Sequence, residues 1–106
     1  MGRFVIAAYQ PKPGREDALL AAVRKHRHVL LTENLISDRP PCLMRSTNGT
    51  IVEVFEWLSS DAIERAHSNA AVQALWAEFG AACDFVPIGR LAEAQQMFAE
   101  FDSQAP

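Results

Sequence analysis

The sequence predicts an α+β fold with one antiparallel sheet and helices on one of its faces. Three observations support this prediction. Short apolar segments are interspersed with amphipathic helical ones, a turn signal joins two apolar segments, and the elements follow the order strand, helix, strand, strand, helix, strand. The chain has 106 residues and no internal repeat or low-complexity tract, so we expect one domain spanning residues 1–106.

The first strand and the first helix are predicted in the N-terminal third. The segment RFVIAAY, residues 3–9, is apolar and compatible with a strand, and QPKPGRE ends it with two prolines and a glycine. From Glu16 to about Glu33, apolar side chains recur at helical spacing, which predicts a long amphipathic helix. The residues of its apolar stripe are Leu19, Ala22, Val23, His26 and Leu30.

The second and third strands are predicted to form an antiparallel hairpin. CLMRS and IVEVFEWL flank TNGT, and Asn followed by Gly is the favoured pair for a two-residue type I′ turn. With that turn, Met44 lies opposite Glu53 and Cys42 lies opposite Phe55.

Two helices, a fourth strand and a last helix are predicted after the hairpin. Asp61 begins a motif that resembles a capping box, and Asn69 is placed to cap a second helix. CDFVPIGRL, residues 83–91, is the fourth strand, and Pro87 places it at a sheet edge or beside a bulge. AEAQQMFAEFDSQ, residues 92–104, is predicted to form a short final helix.

This order of elements is that of a ferredoxin-like split βαβ domain, in which helices cover one face of a four-stranded antiparallel sheet. Both faces of the predicted strands are largely apolar. In the first strand, Phe4, Ile6 and Ala8 are assigned to the helix side, and Val5, Ala7 and Tyr9 to the other side. In the third strand, Val52 and Val54 lie on one side of the sheet, and Ile51, Phe55 and Trp57 lie on the other. A monomer would expose a large apolar patch, so we expect a homodimer with the two sheets face to face.

Composition and charge argue against several classes of partner. The net charge of −3 does not favour binding to nucleic acid, and no apolar run reaches the roughly 18 residues of a membrane span. We therefore expect a cytoplasmic protein without nucleic-acid or membrane partners. Cys42 and Cys83 lie far apart without metal-like spacing, which favours free buried thiols over a disulfide or a zinc site.

Three stretches resemble the dimeric α/β-barrel proteins of the antibiotic biosynthesis monooxygenase type: YQPKPGREDALLAAV, VEVFEWLSSDAIERAHSNAAVQAL and CDFVPIGRL. The resemblance implies a homodimer whose sheets close into a barrel, with a small-molecule cavity between sheet and helices in each subunit. The family includes cofactor-free oxygenases of polyphenols, haem-degrading enzymes, isomerases and decarboxylases. Haem-degrading members carry an asparagine on the first strand together with a tryptophan and a histidine. Here FVIAAY contains no asparagine, although Trp76 and His67 match the other two residues.

His67 and Glu53 are the candidate catalytic residues. His67 follows Ile63 by four positions, so we expect it to face the sheet, where an imidazole can take a proton from a phenol or an enol. The alternative is a helix-end histidine that packs and bonds a backbone carbonyl. Glu53 is one acid among apolar residues on its strand face. It is either an acid or base in a cavity or half of an ion pair.

Aromatic residues and one further histidine are the candidate ligand-binding residues. Tyr9, Trp57 and Trp76 have rings suited to stacking on a planar ligand, although core packing is the alternative for each. The full candidate set is Tyr9, Phe55, Trp57, Trp76 and His26. The basic residues Arg24, Lys25 and Arg27 are interpreted as a solvated helix face rather than an anion site.

These features predict a dimer that binds a small hydrophobic or aromatic metabolite and oxygenates or isomerises it without a cofactor or metal. Two alternatives stay open. One is a non-catalytic ligand-binding or stress-associated dimer whose cavity is filled by its own side chains. The other, weaker one is a haem-binding or haem-degrading protein that uses His67.

Overall fold

A computed structural model describes residues 2–106 of the chain. It is an α+β fold in which three helices pack on one face of a single antiparallel sheet, and the sheet has five strands instead of the predicted four. The strands are β1 (Arg3–Pro11), β2 (Cys42–Arg45), β3 (Ile51–Trp57), β4 (Cys83–Val86) and β5 (Asp102–Ser103), in the order β4-β1-β3-β2-β5. The helices are α1 (Glu16–Thr32), α2 (Ser60–His67) and α3 (Ala70–Ala82).

Helix α1 confirms the helix predicted from the first periodic segment. Its buried residues are those of the predicted stripe, Leu19, Ala22, Val23, His26 and Leu30. The helix ends in a Schellman motif, because Asn34 adopts a left-handed φ of 56° and the Leu35 amide donates to the Leu30 carbonyl.

The starts of α2 and α3 differ in how well the sequence predicted them. Asn69 caps α3 as expected, and its side chain accepts a hydrogen bond from the Val72 amide at 3.1 Å. The cap of α2 is Ser59, not Asp61, because the Ser59 hydroxyl accepts from the Ala62 amide at 3.0 Å. Asp61 instead forms an i,i+4 ion pair with Arg65.

The predicted hairpin forms, but its register was wrong by one residue. The loop has three residues instead of two, since Ser46 pairs with Thr50 and Gly49 adopts a φ of +89°. Leu43 therefore lies opposite Glu53, and Met44 points to the other side of the sheet, where it contacts the apolar cluster described below. Cys42 lies opposite Val54 instead of Phe55.

The two faces of β1 are the reverse of the prediction. Tyr9 packs on Phe79 of α3, with ring centroids 4.8 Å apart, so the set Val5, Ala7 and Tyr9 faces the helices. Phe4 and Ile6 lie on the uncovered side and are 62% and 53% exposed. The pattern could not decide between the two sets because both are apolar.

The C-terminal segment does not form the predicted helix, and β4 ends at Val86 before Pro87. Two short 3₁₀ turns, Ile88–Arg90 and Ala92–Gln95, lead along the sheet face opposite the helices. Leu91 and Phe101 pack there with Ala8 and Val52, and β5 then pairs with β2. A continuous helix over 92–104 would prevent both this burial and this pairing.

Three smaller features complete the description. Both cysteines are free as predicted, but only Cys83 is buried, while Cys42 is exposed. Within residues 2–106, no helix has both the length and the apolar character needed to cross a membrane. In the same residues, no group of three or more His, Cys, Asp or Glu side chains is placed to hold a metal ion.

Candidate active site

A buried polar cluster lies between the sheet and the helices. The Tyr9 hydroxyl donates to Glu53 Oε1 at 2.8 Å, and His26 Nδ1 lies 2.9 Å from the same oxygen. Glu53 is 1% exposed, Tyr9 3% and His26 4%. Buried carboxylates are retained when hydrogen bonds compensate for the loss of hydration, and here two such partners meet one oxygen. We name Tyr9, His26 and Glu53 the buried triad.

Each member of the triad comes from a different element. Tyr9 lies on the helix-facing side of β1, where Ala7 is paired with Glu53 of β3. His26 lies in the apolar stripe of α1, and this position directs its ring towards the sheet. Its ring contacts Phe55 and Phe79 edge-on, at centroid distances of 5.1 and 5.2 Å. Helical spacing on α1 and alternation on β1 and β3 thus bring the three side chains together.

The environment keeps Tyr9 protonated. Burial and the neighbouring Glu53 carboxyl group hold the pKa of Tyr9 well above its usual value, so its hydroxyl donates at neutral pH. Glu53 Oε1 then accepts from Tyr9 and, when His26 carries hydrogen on Nδ1, from His26 as well. Among residues 2–106, Glu53 Oε2 has no hydrogen-bond partner.

A cleft of about 160 Å³ opens beside Glu53, between α1 and β2. Among residues 2–106, Glu53 is the only carboxylate side chain that lines it. The other lining residues are Val23, Arg24, Arg27, Pro41, Leu43 and Pro106. An engineered apolar cavity of about 150 Å³ holds benzene, so a molecule with one six-membered ring fits this volume.

A narrower space adjoins the cleft and shares Glu53, Arg27 and Pro41 with it. His26 and Phe55 also line this space, which has no room for a water molecule. The triad is therefore closed on the His26 side and reached from the side of the cleft.

The structure brings some of the predicted site residues together and separates others. Glu53, Tyr9, His26 and Phe55 form one region. Trp57 is 7% exposed and packs on Phe55 with centroids 5.3 Å apart, farther along the same sheet face.

His67 and Trp76 lie elsewhere and do not line the cleft. His67 is exposed at the end of α2, and its Nδ1 lies 2.8 Å from the Ile63 carbonyl oxygen. Its ring meets that of Trp76 edge-on at 5.2 Å. The expectation that His67 is directed towards the sheet is thus not met, because it occupies the last position of a short helix. Its role as a base stays a prediction.

The sequence interpretation assigned Arg24 and Arg27 to a solvated helix face, whereas both line the cleft. They are three positions apart on α1 and each follows a buried stripe residue, Val23 or His26. That adjacency to the stripe was the available signal, because residues beside a buried stripe lie at the edge of the helix–sheet interface.

The geometry defines a class of site: a buried, hydrogen-bonded carboxylate at a small cleft with apolar walls and basic residues. No family model matches the chain, and neither a curated protein nor a solved structure is significantly similar to it.

Proposed function

We propose that the protein is a ferredoxin-like, dimeric α/β-barrel enzyme of the antibiotic biosynthesis monooxygenase type. It binds a small hydrophobic or aromatic molecule in the Glu53 cleft and transfers a proton without a cofactor. One observation carries this proposal: a carboxylate that is 1% exposed uses Oε1 for Tyr9 and His26, has no hydrogen-bond partner at Oε2 within residues 2–106, and belongs to a residue that lines a cleft. A base that is held in place and shielded from water is the arrangement that general acid–base catalysis requires.

The chemistry begins with removal of a proton from an electron-rich phenol or an activated C–H group by Glu53 Oε2. Return of the proton to another carbon gives an isomer. Alternatively, the carbanion reacts with dioxygen, so that a CH₂ group becomes C=O and the second oxygen atom leaves as water. Tyr9 and His26 keep Glu53 oriented in both cases, and neither path needs a metal or an organic cofactor.

Proton transfer and oxygenation are measured separately on a panel of single-ring phenols and enols. Deuterium exchange from D₂O reports the first step, and an oxygen electrode reports the second. Glu53→Gln is expected to lower the exchange rate by about 100-fold or more, the usual contribution of a positioned acid or base. Glu64→Gln, which changes an exposed acid on α2, is the matched control and should retain the wild-type rate.

His67→Gln tests the other candidate base in the same assay. Loss of exchange in His67→Gln with retention in Glu53→Gln would move the base to His67. Binding without exchange in the wild type would favour the non-catalytic ligand-binding dimer.

The proposed dimer forms through the sheet face opposite the helices. On that face, Phe4 and Ile6 are 62% and 53% exposed, because the C-terminal segment covers only part of the sheet. Two large apolar side chains exposed on one side of the same strand favour burial against a second copy of the chain. Sedimentation equilibrium should give a dimer for the wild type and a monomer for Phe4→Glu/Ile6→Glu. Ala74→Glu, at an exposed position of α3 on the other side of the sheet, is the control for an added charge. A wild-type monomer at every concentration would refute the dimer.

A further inference from the structure

Arg24 and Arg27 are cationic side chains at the cleft that no carboxylate of the described residues neutralises. The other basic residues near them are engaged: Lys25 pairs with Glu78, Arg39 with Glu56, and Arg45 with Glu16. Arg24 has no hydrogen-bonded partner within residues 2–106, and Arg27 donates from Nη2 to the Asp38 carbonyl at 3.1 Å.

Arg27 has a further unused donor. Its Nε is buried and has no hydrogen-bond partner among the described residues 2–106. A buried N–H of a guanidinium without an acceptor is unfavourable. Nε itself is shielded from solvent, so a ligand in the open cleft would reach Arg27 through its terminal nitrogens, of which Nη2 already donates to the Asp38 carbonyl.

The depth of the lining residues orders the cleft from outside to inside. Arg24 is exposed, Arg27 is half-buried, and Glu53 is 1% exposed. Val23, Leu43 and Pro41 supply apolar surface. A ligand that matches this order has an anionic group near the mouth, an apolar ring along the walls, and an acidic O–H or C–H group at the inner end.

Electrostatics explains why both arginines are needed. An anionic ligand and Glu53 share a cleft of about 160 Å³, so their negative charges repel when both are ionised. Two guanidinium groups at the mouth offset this repulsion and also bind the ligand's anion through charge-assisted hydrogen bonds. A neutral ligand gains nothing comparable from them.

We propose that the ligand of this cleft is a small organic acid of single-ring size, whose carboxylate is bound by Arg24 and Arg27 while its acidic proton faces Glu53. The inference rests on the proposed function because it names the substrate class of the same cleft. It also replaces the interpretation of the basic segment of α1 as a purely solvated face.

The test is calorimetric titration of the intact protein with two matched pairs of probes: benzoate with benzamide, and para-hydroxybenzoate with para-hydroxybenzamide. Each amide keeps the shape of its acid and removes the charge. We expect the wild type to bind at least one acid about tenfold or more tightly than its amide, a difference typical of charge-assisted hydrogen bonds.

Charge-matched variants separate binding at the cleft from general attraction. Arg24→Gln/Arg27→Gln removes two positive charges at the cleft and should abolish the preference for the acid. Arg15→Gln/Arg90→Gln removes two positive charges from exposed residues that do not line the cleft, and should keep the preference. Arg27→Lys preserves the charge and should retain part of the preference for the acid. If the double variant fails to fold, Arg24→Gln alone, which changes an exposed residue, should lower that preference.

Three results would overturn the inference. They are equal affinities for acid and amide, equal losses in the two double variants, and no binding of either acid at millimolar concentration. Failure of the proposed function looks different. In that case acids bind in an arginine-dependent manner, but the wild type catalyses no deuterium exchange. If the wild type catalyses deuterium exchange of neutral phenols only, and Glu53→Gln loses this exchange, the proposed function is retained and the proposal of an acidic ligand is rejected.

Discussion

The two faces of the sheet solve the problem of burial in different ways. The face under α1, α2 and α3 buries the triad of Tyr9, His26 and Glu53 among apolar side chains. The opposite face is covered by the irregular segment after β4, which places Leu91 on Ala8 and Val52 and leaves Phe4 and Ile6 exposed. One face therefore carries a polar site and the other an apolar surface.

The difference follows from what covers each face. Helices satisfy their own backbone hydrogen bonds, so their side chains are free to enclose a polar group and a cleft. The C-terminal segment has little regular structure and depends on side-chain anchors, chiefly Leu91 and the contacts of Glu93 with the β2–β3 loop. Changes on the two faces should accordingly differ in size and in pH dependence.

Glu53→Ala is expected to have the largest effect on stability. It leaves the buried Tyr9 hydroxyl and His26 Nδ1 without their acceptor, and it opens a cavity at a residue that is 1% exposed. We expect a loss of about 3 kcal/mol in the free energy of unfolding, measured by urea denaturation. Val54→Ala, at a half-buried position on the other face of the same strand, should lose about 1 kcal/mol. Equal losses would show that the polar cluster contributes nothing beyond packing.

Leu91→Ala should have the next largest effect because it removes the main apolar anchor of the C-terminal segment. Leu91 is 2% exposed and packs on Ala8 and Val52. We expect a loss of about 2 kcal/mol, at the low end for buried leucines because the covering segment can partly collapse into the space. Phe98→Ala, 79% exposed in the same segment, should change stability by no more than about 0.5 kcal/mol. A cooperative transition unchanged by Leu91→Ala would mean that the segment is not anchored there.

Alkaline conditions should weaken the helix-covered face. Burial raises the pKa of Cys83 from 9.0 to about 11. Because the folded-state pKa lies above the unfolded value, the stabilising contribution is complete below pH 9 and is lost as the pH rises towards 11. Cys83→Ala should therefore show a smaller fall in the free energy of unfolding over this range than the wild type.

Cys42→Ala is the control for this titration. Because Cys42 is exposed, this variant should show the same pH dependence of the free energy of unfolding as the wild type. Loss of stability at higher pH should persist in Cys83→Ala, because the pKa of Tyr9 is also raised. A flat wild-type profile above pH 9 would contradict the prediction.

The elements that sequence predicted well are those determined by local patterns. The stripe of α1 and the Asn69 cap depend on helical spacing and on one side-chain hydrogen bond, both visible in the sequence. The hairpin also formed, but Asn48-Gly49 is compatible with a two- or a three-residue loop. The three-residue loop places Leu43 opposite Glu53 and Met44 on the far side of the sheet.

The C-terminal segment and the assembly of the site could not be predicted from local patterns, because they depend on contacts between distant parts of the chain. Residues 92–104 have helical composition, yet burial of Leu91 and pairing of β5 with β2 prevail over this local preference. For the site, Glu53 was identified as a candidate catalytic residue, and Tyr9 and His26 were identified separately as candidate ligand-binding residues. The meeting of the three at one oxygen depends on the packing of α1 across β1 and β3, which no local pattern specifies.

Acid conditions should weaken the opposite face, with the smallest effect of the four. The backbone amide of Thr47 donates to Glu93 at 2.8 Å, and the Ser46 hydroxyl donates at 2.9 Å. These contacts, the Thr47 amide foremost, lower the pKa of Glu93 from 4.5. Since the folded-state pKa is lowered, the contribution is present above pH 4.5 and is lost as the pH falls through the folded value.

Glu93→Gln should therefore be less stable than the wild type at neutral pH, and the two free energies of unfolding should converge below pH 4.5. Glu100→Gln changes an exposed acid of the same segment that accepts no hydrogen bond from residues 2–106, and should match the wild type throughout. The comparison is made by urea denaturation across the acid range. A difference for Glu93→Gln that persists unchanged in acid would mean that the carboxylate charge does not hold the C-terminal segment to the hairpin. The cover of this face would then depend on the apolar packing of Leu91 and Phe101 and on the pairing of β5 with β2.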